Sequence, residues 1–149
     1  MANSPGRLRA VVDPNVLVSA WISPHGFPRR ILDAADAGRF EMVVSNRLLA
    51  ELADVLSRER LRRYGPMEKA RAHIRRATRA GIHVEVEGEP ERLVPDDPKD
   101  DYLVALARDS GSDCLVSGDP HLARTPPEAE PIPVLTPRQF GELLEERDR

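Results

Sequence analysis

Two apolar runs in this chain end in an Asp-Pro step: Ala10-Val11-Val12-Asp13-Pro14, and Cys114-Leu115-Val116-Ser117-Gly118-Asp119-Pro120. In an open α/β sheet the carboxyl ends of parallel strands converge on one crevice. Asp13 and Asp119, launched from two such ends, would face the same small volume. An acid from a helix bordering that crevice would complete a negative cluster that a site poor in solvent does not tolerate without counter-charge. A divalent cation is the natural counter-charge, and a metal held by carboxylates suits phosphate chemistry.

Each acid also has a plainer reading. Asp is a favoured N-cap, and Pro at the next position is pre-shaped for the first helical turn. This covers Asp13, Asp119 and also Asp97 before Pro98. Capping and ligation are compatible, because one carboxylate oxygen can cap while the other faces a metal. Glu51 lies at the edge of the helical stripe Leu48, Leu52 and Val55. About 100° per residue leaves it either at the rim of the core facing the crevice or out in water.

Asp100 and Asp101 are separated by the same periodicity. Asp100 falls within the apolar face of Leu103, Val104, Leu106 and Ala107, while Asp101 points almost opposite. A carboxylate on the buried side must be satisfied. A capping-box bond is one possibility, with Asp97 as N-cap and Asp100 three residues on. A cation is the other, and the acidic stretch just before this helix favours it.

These acids require elements to hold them. The first strand is expected at Arg9 to Asp13, with helices from Pro14 to about Ile22 and from Pro28 to Ala37. A strand at Phe40 to Ser45 precedes a long helix from Asn46. Gly65-Pro66 is a break, followed by a helix over Met67 to Ala80 and a strand over Ile82 to Val86. An acidic loop, Glu87 to Pro98, leads into a helix from Lys99 to Ser110 and a strand from Cys114 to Ser117. Asp119-Pro120 opens a short helix, Pro131 to Leu135 is the last strand, and Pro137 to about Arg147 the last helix. Strands alternating with helices imply an α/β sandwich around a mostly parallel sheet.

The 149 residues suffice for one domain, expected over residues 7–147, with residues 1–6 a flexible N-terminus. Apolar residues make up 40% and charged residues 32%, a soluble globular balance with no run near the roughly 20 apolar residues of a membrane span. The N-terminus lacks the apolar core of a signal peptide, and the single cysteine, Cys114, precludes an internal disulfide. A cytoplasmic protein is expected. His25, His73, His83 and His121 share no zinc spacing and read as surface or core residues. Cys114 reads as a small buried hydrophobe. No Gly-rich phosphate loop or nucleophile elbow is present.

The net charge of -3 hides a segregation. Nine basic residues lie between Arg58 and Arg79 against Glu59 and Glu68, and eight acids lie between Glu85 and Asp101 against Arg92 and Lys99. The basic block, with Arg71, Arg75, Arg76 and Arg79 on one helix, reads either as a solvated face or as a surface for phosphate or an acidic partner. Arginine outnumbers lysine twenty to two, which suits bidentate contacts and equally fits genomic base composition.

At its acids the chain resembles the PIN-domain family, and more narrowly the toxin components of VapBC-type toxin–antitoxin pairs. The landmarks are Asp13 with Asn15 two later, Ser45-x5-Glu51-Leu52-x2-Val55-Leu56, Asp97-Pro98-Lys99-Asp100-Asp101-x-Leu103, and Leu115-Val116-Ser117-Gly118-Asp119-Pro120-His121-Leu122. They run in the family's order over nearly the whole chain. The resemblance implies a three-layer sandwich with a central parallel sheet and a Mg²⁺- or Mn²⁺-dependent ribonuclease. It also implies inhibition by a cognate antitoxin, and homodimers.

Carried over residue by residue, the catalytic and metal-holding acids would be Asp13, Glu51, Asp100 and Asp119, supported by Asn15, Asp101 and Ser117. Where the narrower family often has Asp-Asn, this chain has Asp100-Asp101, and both periodicity and resemblance choose Asp100. Arg71, Arg75, Arg76 and Arg79 would meet RNA or the antitoxin. Trp21 and Phe27 fit either the core or a partner surface.

Two rival readings remain. A phosphohydrolase of the haloacid-dehalogenase type needs a second Asp two residues after the first, where this chain has Asn15. A PIN-like module that binds RNA or protein without cutting would have no use for a repulsive set of four acids.

Overall fold

The structure, a computed structural model, describes residues 6–86, 101–119, 122 and 132–148, with Asp101 described by its backbone alone. Five strands form one sheet: β1 (Arg9–Val12), β2 (Glu41–Val44), β3 (Gly81–His83), β4 (Cys114–Val116) and β5 (Val134–Leu135). Their order is β3-β2-β1-β4-β5, and every pairing is parallel. The sheet expected as mostly parallel is therefore all-parallel among the described strands. Every residue of β1, β2 and β4 is buried, as in parallel sheets covered on both faces by helices.

The helices are α1 (Pro14–Ile22), α2 (Phe27–Asp36), α3 (Asn46–Leu56), α4 (Met67–Ala80), α5 (Asp101–Asp109) and α6 (Pro137–Arg147), with a 3₁₀ turn at Glu59–Tyr64. α1, α4 and α6 have the expected bounds because their starts are marked locally. Asp13 and Pro14 open α1, and Thr136 closes a full capping box with Gln139 at α6. The 3₁₀ turn, not anticipated from the pattern, spends the residues before Gly65, whose φ of +155° only glycine adopts easily.

The strands are shorter than their apolar runs, because the flanking residues turn into helices or loops once the ladder stops. β3 begins at Gly81 instead of Ile82. A Cβ at Gly81 would lie 2.6 Å from Val44 Cγ2, so glycine lets this edge strand close onto β2. The start of the Lys99 helix, the Asp97-Pro98 step, the acidic loop and Pro120 of the short helix lie outside the described residues.

The chain leaves β1 to build β2 and β3 on one side, then crosses back to place β4 on the other. The order thus reverses between β1 and β4, and the crevice at such a switch point is where α/β sheets bind ligands. The opposite end of the sheet is closed by a buried ion pair. Arg9 Nη2 meets Glu41 Oε2 at 3.3 Å while Arg9 Nη1 donates to the Ser110 carbonyl at 2.7 Å.

Candidate active site at the carboxyl end of the sheet

Asp13 follows the last residue of the central strand and is 2% exposed. Its backbone N–H donates to the Val116 carbonyl at 2.9 Å, which ties it to the end of β4. Oδ1 accepts the Asn15 N–H at 2.9 Å, so the capping role is real. Oδ2 accepts from Ser117 Oγ at 2.7 Å. The same hydroxyl oxygen accepts the Asp119 N–H at 3.0 Å. Ser117 thus couples the two strand-end aspartates, which line one open cleft of about 360 Å³ with Asn15, Val16, Ser19 and Gly118.

Glu51 is half-buried on α3, whose first turn is capped by Ser45 Oγ accepting from Leu48 N–H. Its Oε1 accepts from the Tyr102 hydroxyl at 3.2 Å. Glu51 therefore turns towards the rim of the core, the alternative that helical spacing left open. Tyr102 is itself 5% exposed at the start of α5. Burial drives the phenol well above the ordinary tyrosine range, the charges of Glu51 and then Asp13 add to this, and Arg47 opposes it. Glu51 and Asp13 consequently act on the same phenol. The Arg47 guanidinium lies 4.3 Å from the centre of the Tyr102 ring.

Residues 9–121 match the PIN domain. The chain belongs to the PIN-domain family. Over 95% of its length it is similar to 94% of the crystal structure of PAE2754 from Pyrobaculum aerophilum, with a TM-score of 0.66 and 16% sequence identity. At that identity the likeness speaks for the fold. The search of curated proteins finds no match. PIN domains are generally nucleases and usually use divalent metals, so the family makes this a nuclease-type fold.

In this PIN domain, the described structure brings Asp13, Asn15 and Asp119 to one cleft, with Ser117 bonded to the Asp13 carboxylate and the Asp119 N–H and Glu51 bonded to Tyr102. Asp100 and the Asp101 side chain lie outside the described residues. Among the described residues, no three His, Cys, Asp or Glu side chains close into a set that could hold an ion. The donors that do meet are carboxylate and hydroxyl oxygens without thiolate or imidazole. That chemistry fits a hard cation such as Mg²⁺ or Mn²⁺.

The basic residues of the PIN domain divide into two kinds. Arg71, Arg75 and Arg79 are exposed on α4. Arg76 instead reaches Asp33 Oδ1 at 2.8 Å and Asp36 Oδ2 at 2.9 Å, and so staples α4 to α2. Trp21 and Phe27 are half-buried. Trp21 packs on Gly65 and lies 5.7 Å from the His73 ring, and Phe27 packs on Gly141. His73 is buried in the core, whereas His25 and His83 are exposed. The Cys114 thiol is buried and pushed up to about 12, chiefly by desolvation. No described helix is long and apolar enough to cross a membrane.

Tyr102 and Arg47 were not singled out from the sequence. The available signals were the position of Tyr102 right after Asp100-Asp101, and of Arg47 one helical turn before Glu51.

Proposed function

We propose that this PIN domain is a metal-dependent endoribonuclease that hydrolyses RNA phosphodiester bonds with Mg²⁺ or Mn²⁺. In our reading it is the toxin of a toxin–antitoxin pair, acts in the cytoplasm as a homodimer, and comprises one domain over residues 7–147. The observation that carries the reading is the coupling of Asp13 to Asp119 through the Ser117 hydroxyl. Two acids from adjacent strand ends are held in one cleft at the switch point of the sheet.

Asp13, Glu51, Asp100 and Asp119 would hold the ion, with Asn15 and Asp101 as supporting neighbours. When bound, a divalent ion neutralises the carboxylates and lowers the pKa of a coordinated water. The chain's own residues supply the positioning. Ser117 Oγ and the Asn15 N–H fix the two oxygens of Asp13. Tyr102 donates a hydrogen bond to Glu51, which would hold this carboxylate for orienting the attacking water. Arg71, Arg75 and Arg79 would meet RNA backbone or the antitoxin, and Arg76 would hold the helix that presents them.

The test is incubation with total RNA in Mg²⁺ or EDTA, followed by end-mapping of the products, for the parent and for Asp13→Asn. Cleavage is expected only in Mg²⁺. Asp13→Asn should lower it by at least about 100-fold, or about 2.7 kcal/mol of barrier. Unchanged cleavage by the variant defeats the proposal. RNA binding without cleavage by the parent would leave a binding module instead.

A further inference from the structure

Several arginines of the described chain pair with carboxylates, among them Arg9 with Glu41, Arg76 with Asp33 and Asp36, Arg39 with Asp148, and Arg138 with Glu142. Arg47 differs. It is exposed, and among the described residues no carboxylate lies within ion-pair distance of it. Its guanidinium lies 4.3 Å from the centre of the Tyr102 ring.

That ring belongs to the side chain whose hydroxyl donates to Glu51. One tyrosine therefore holds a cation on its face and an acid on its edge. The aromatic spacer keeps the two from neutralising each other. A guanidinium over a ring face can keep its N–H donors for other partners, and its planar fork matches phosphate oxygens in pairs. Arg47 stands in the first turn of α3, which starts where β2 ends, at the same end of the sheet as Asp13 and Asp119. A cation at this end of the sheet offsets the carboxylates there, which by themselves repel a polyanion.

We infer that Arg47 is a backbone-phosphate contact for a single RNA strand entering the cleft, and that Tyr102 is the positioning residue that presents it. The inference rests on the ribonuclease reading for its substrate, but not for its test. Arg47 supplies strand placement independent of base identity, since phosphate contacts fix register without reading sequence.

Binding is measured with a labelled single-stranded oligouridylate in EDTA, where no cleavage occurs, across a series of salt concentrations. Arg47→Ala should weaken binding about tenfold, and the salt slope should fall by about 0.7, the value for one phosphate on a single strand. Arg47→Lys keeps the charge and should retain the slope with part of the affinity. Tyr102→Phe keeps the ring and should bind like the parent while cleaving less, because Glu51 loses its hydrogen bond. Tyr102→Leu, checked for folding by its thermal midpoint, should bind like Arg47→Ala.

Affinity and slope unchanged in Arg47→Ala overturn the inference, as does a parent that does not bind the oligonucleotide. Parent-like binding by a folded Tyr102→Leu removes the positioning role of the tyrosine. Cleavage in Mg²⁺ is scored separately on the same proteins. Cleavage with binding untouched by Arg47→Ala defeats this inference alone; weakened binding in a chain that never cleaves RNA defeats the ribonuclease reading alone.

Discussion

Ser117 Oγ donates to Asp13 Oδ2 at 2.7 Å across 104 residues of sequence, and both residues are 2% exposed. A hydroxyl has one proton to give and lone pairs to receive. Here the proton goes to Asp13 and a lone pair to the Asp119 N–H. One small side chain thus ties the Asp13 carboxylate to the Asp119 backbone.

Ser117→Ala should therefore act on both acids together. It removes the Ser117 hydroxyl from an Asp13 oxygen and from the Asp119 N–H, at a cost of about 1–3 kcal/mol in stability. Metal-dependent cleavage should fall roughly tenfold to 100-fold as the Asp13 carboxylate loses its fixed orientation. Urea denaturation and cleavage kinetics on the same preparation check both outcomes. Loss of stability with full activity would mean that Ser117 serves the fold alone.

The Arg9–Glu41 pair offers the converse case. Both side chains are under 10% exposed, and they begin β1 and β2 at the end of the sheet away from Asp13. Glu41→Ala takes a carboxylate away from the buried Arg9 guanidinium, which should cost about 3 kcal/mol. Cleavage per folded molecule should be unchanged. A denaturation curve shifted by less than about 1 kcal/mol would show that the remaining partners of Arg9 suffice without Glu41.

His73 should make stability depend on pH. Its ring Nε2 lies 2.9 Å from the Leu17 carbonyl, which only accepts, so Nε2 carries the proton in the neutral ring. Burial holds its pKa below the ordinary 6.5, and the charges of Arg29 and Arg76 push the same way against the Leu17 bond. Folding thus favours the neutral ring. Its contribution is complete above pH 6.5 and is lost as pH falls through the lower folded pKa. Urea midpoints should drop over that interval, and His73→Gln should flatten the profile there. An identical slope in the variant would place the titration elsewhere.

Gly141 sits inside α6, where alanine ordinarily stabilises a helix by about 1 kcal/mol. A Cβ at this position would lie 2.4 Å from Phe27 Cδ1. Gly141→Ala should therefore destabilise by about 1–3 kcal/mol as Phe27 is displaced. A raised thermal midpoint would show that Phe27 yields freely.

Much of this architecture could be read locally. Caps and breakers marked α1, α4 and α6, because a cap is satisfied by its own neighbours within a few residues, as with Asp13 and Asn15. Strand ends were less legible. β2 and β3 stop where their ladder partner stops, and that partner is remote in sequence.

By itself, the sequence determined that strands and helices alternate, that Asp13 and Asp119 stand at strand ends, and that Glu51 borders an apolar stripe. These follow from hydrophobic period and capping chemistry, which act over a few residues. Only the tertiary structure decided that Glu51 meets Tyr102, that Arg47 lies on that ring, and that Arg76 belongs to Asp33 and Asp36. A helical period fixes which face a residue occupies relative to its own axis. Which neighbour covers the edge of that face is set by the packing of other elements, up to 51 residues away in the case of Tyr102 and Glu51.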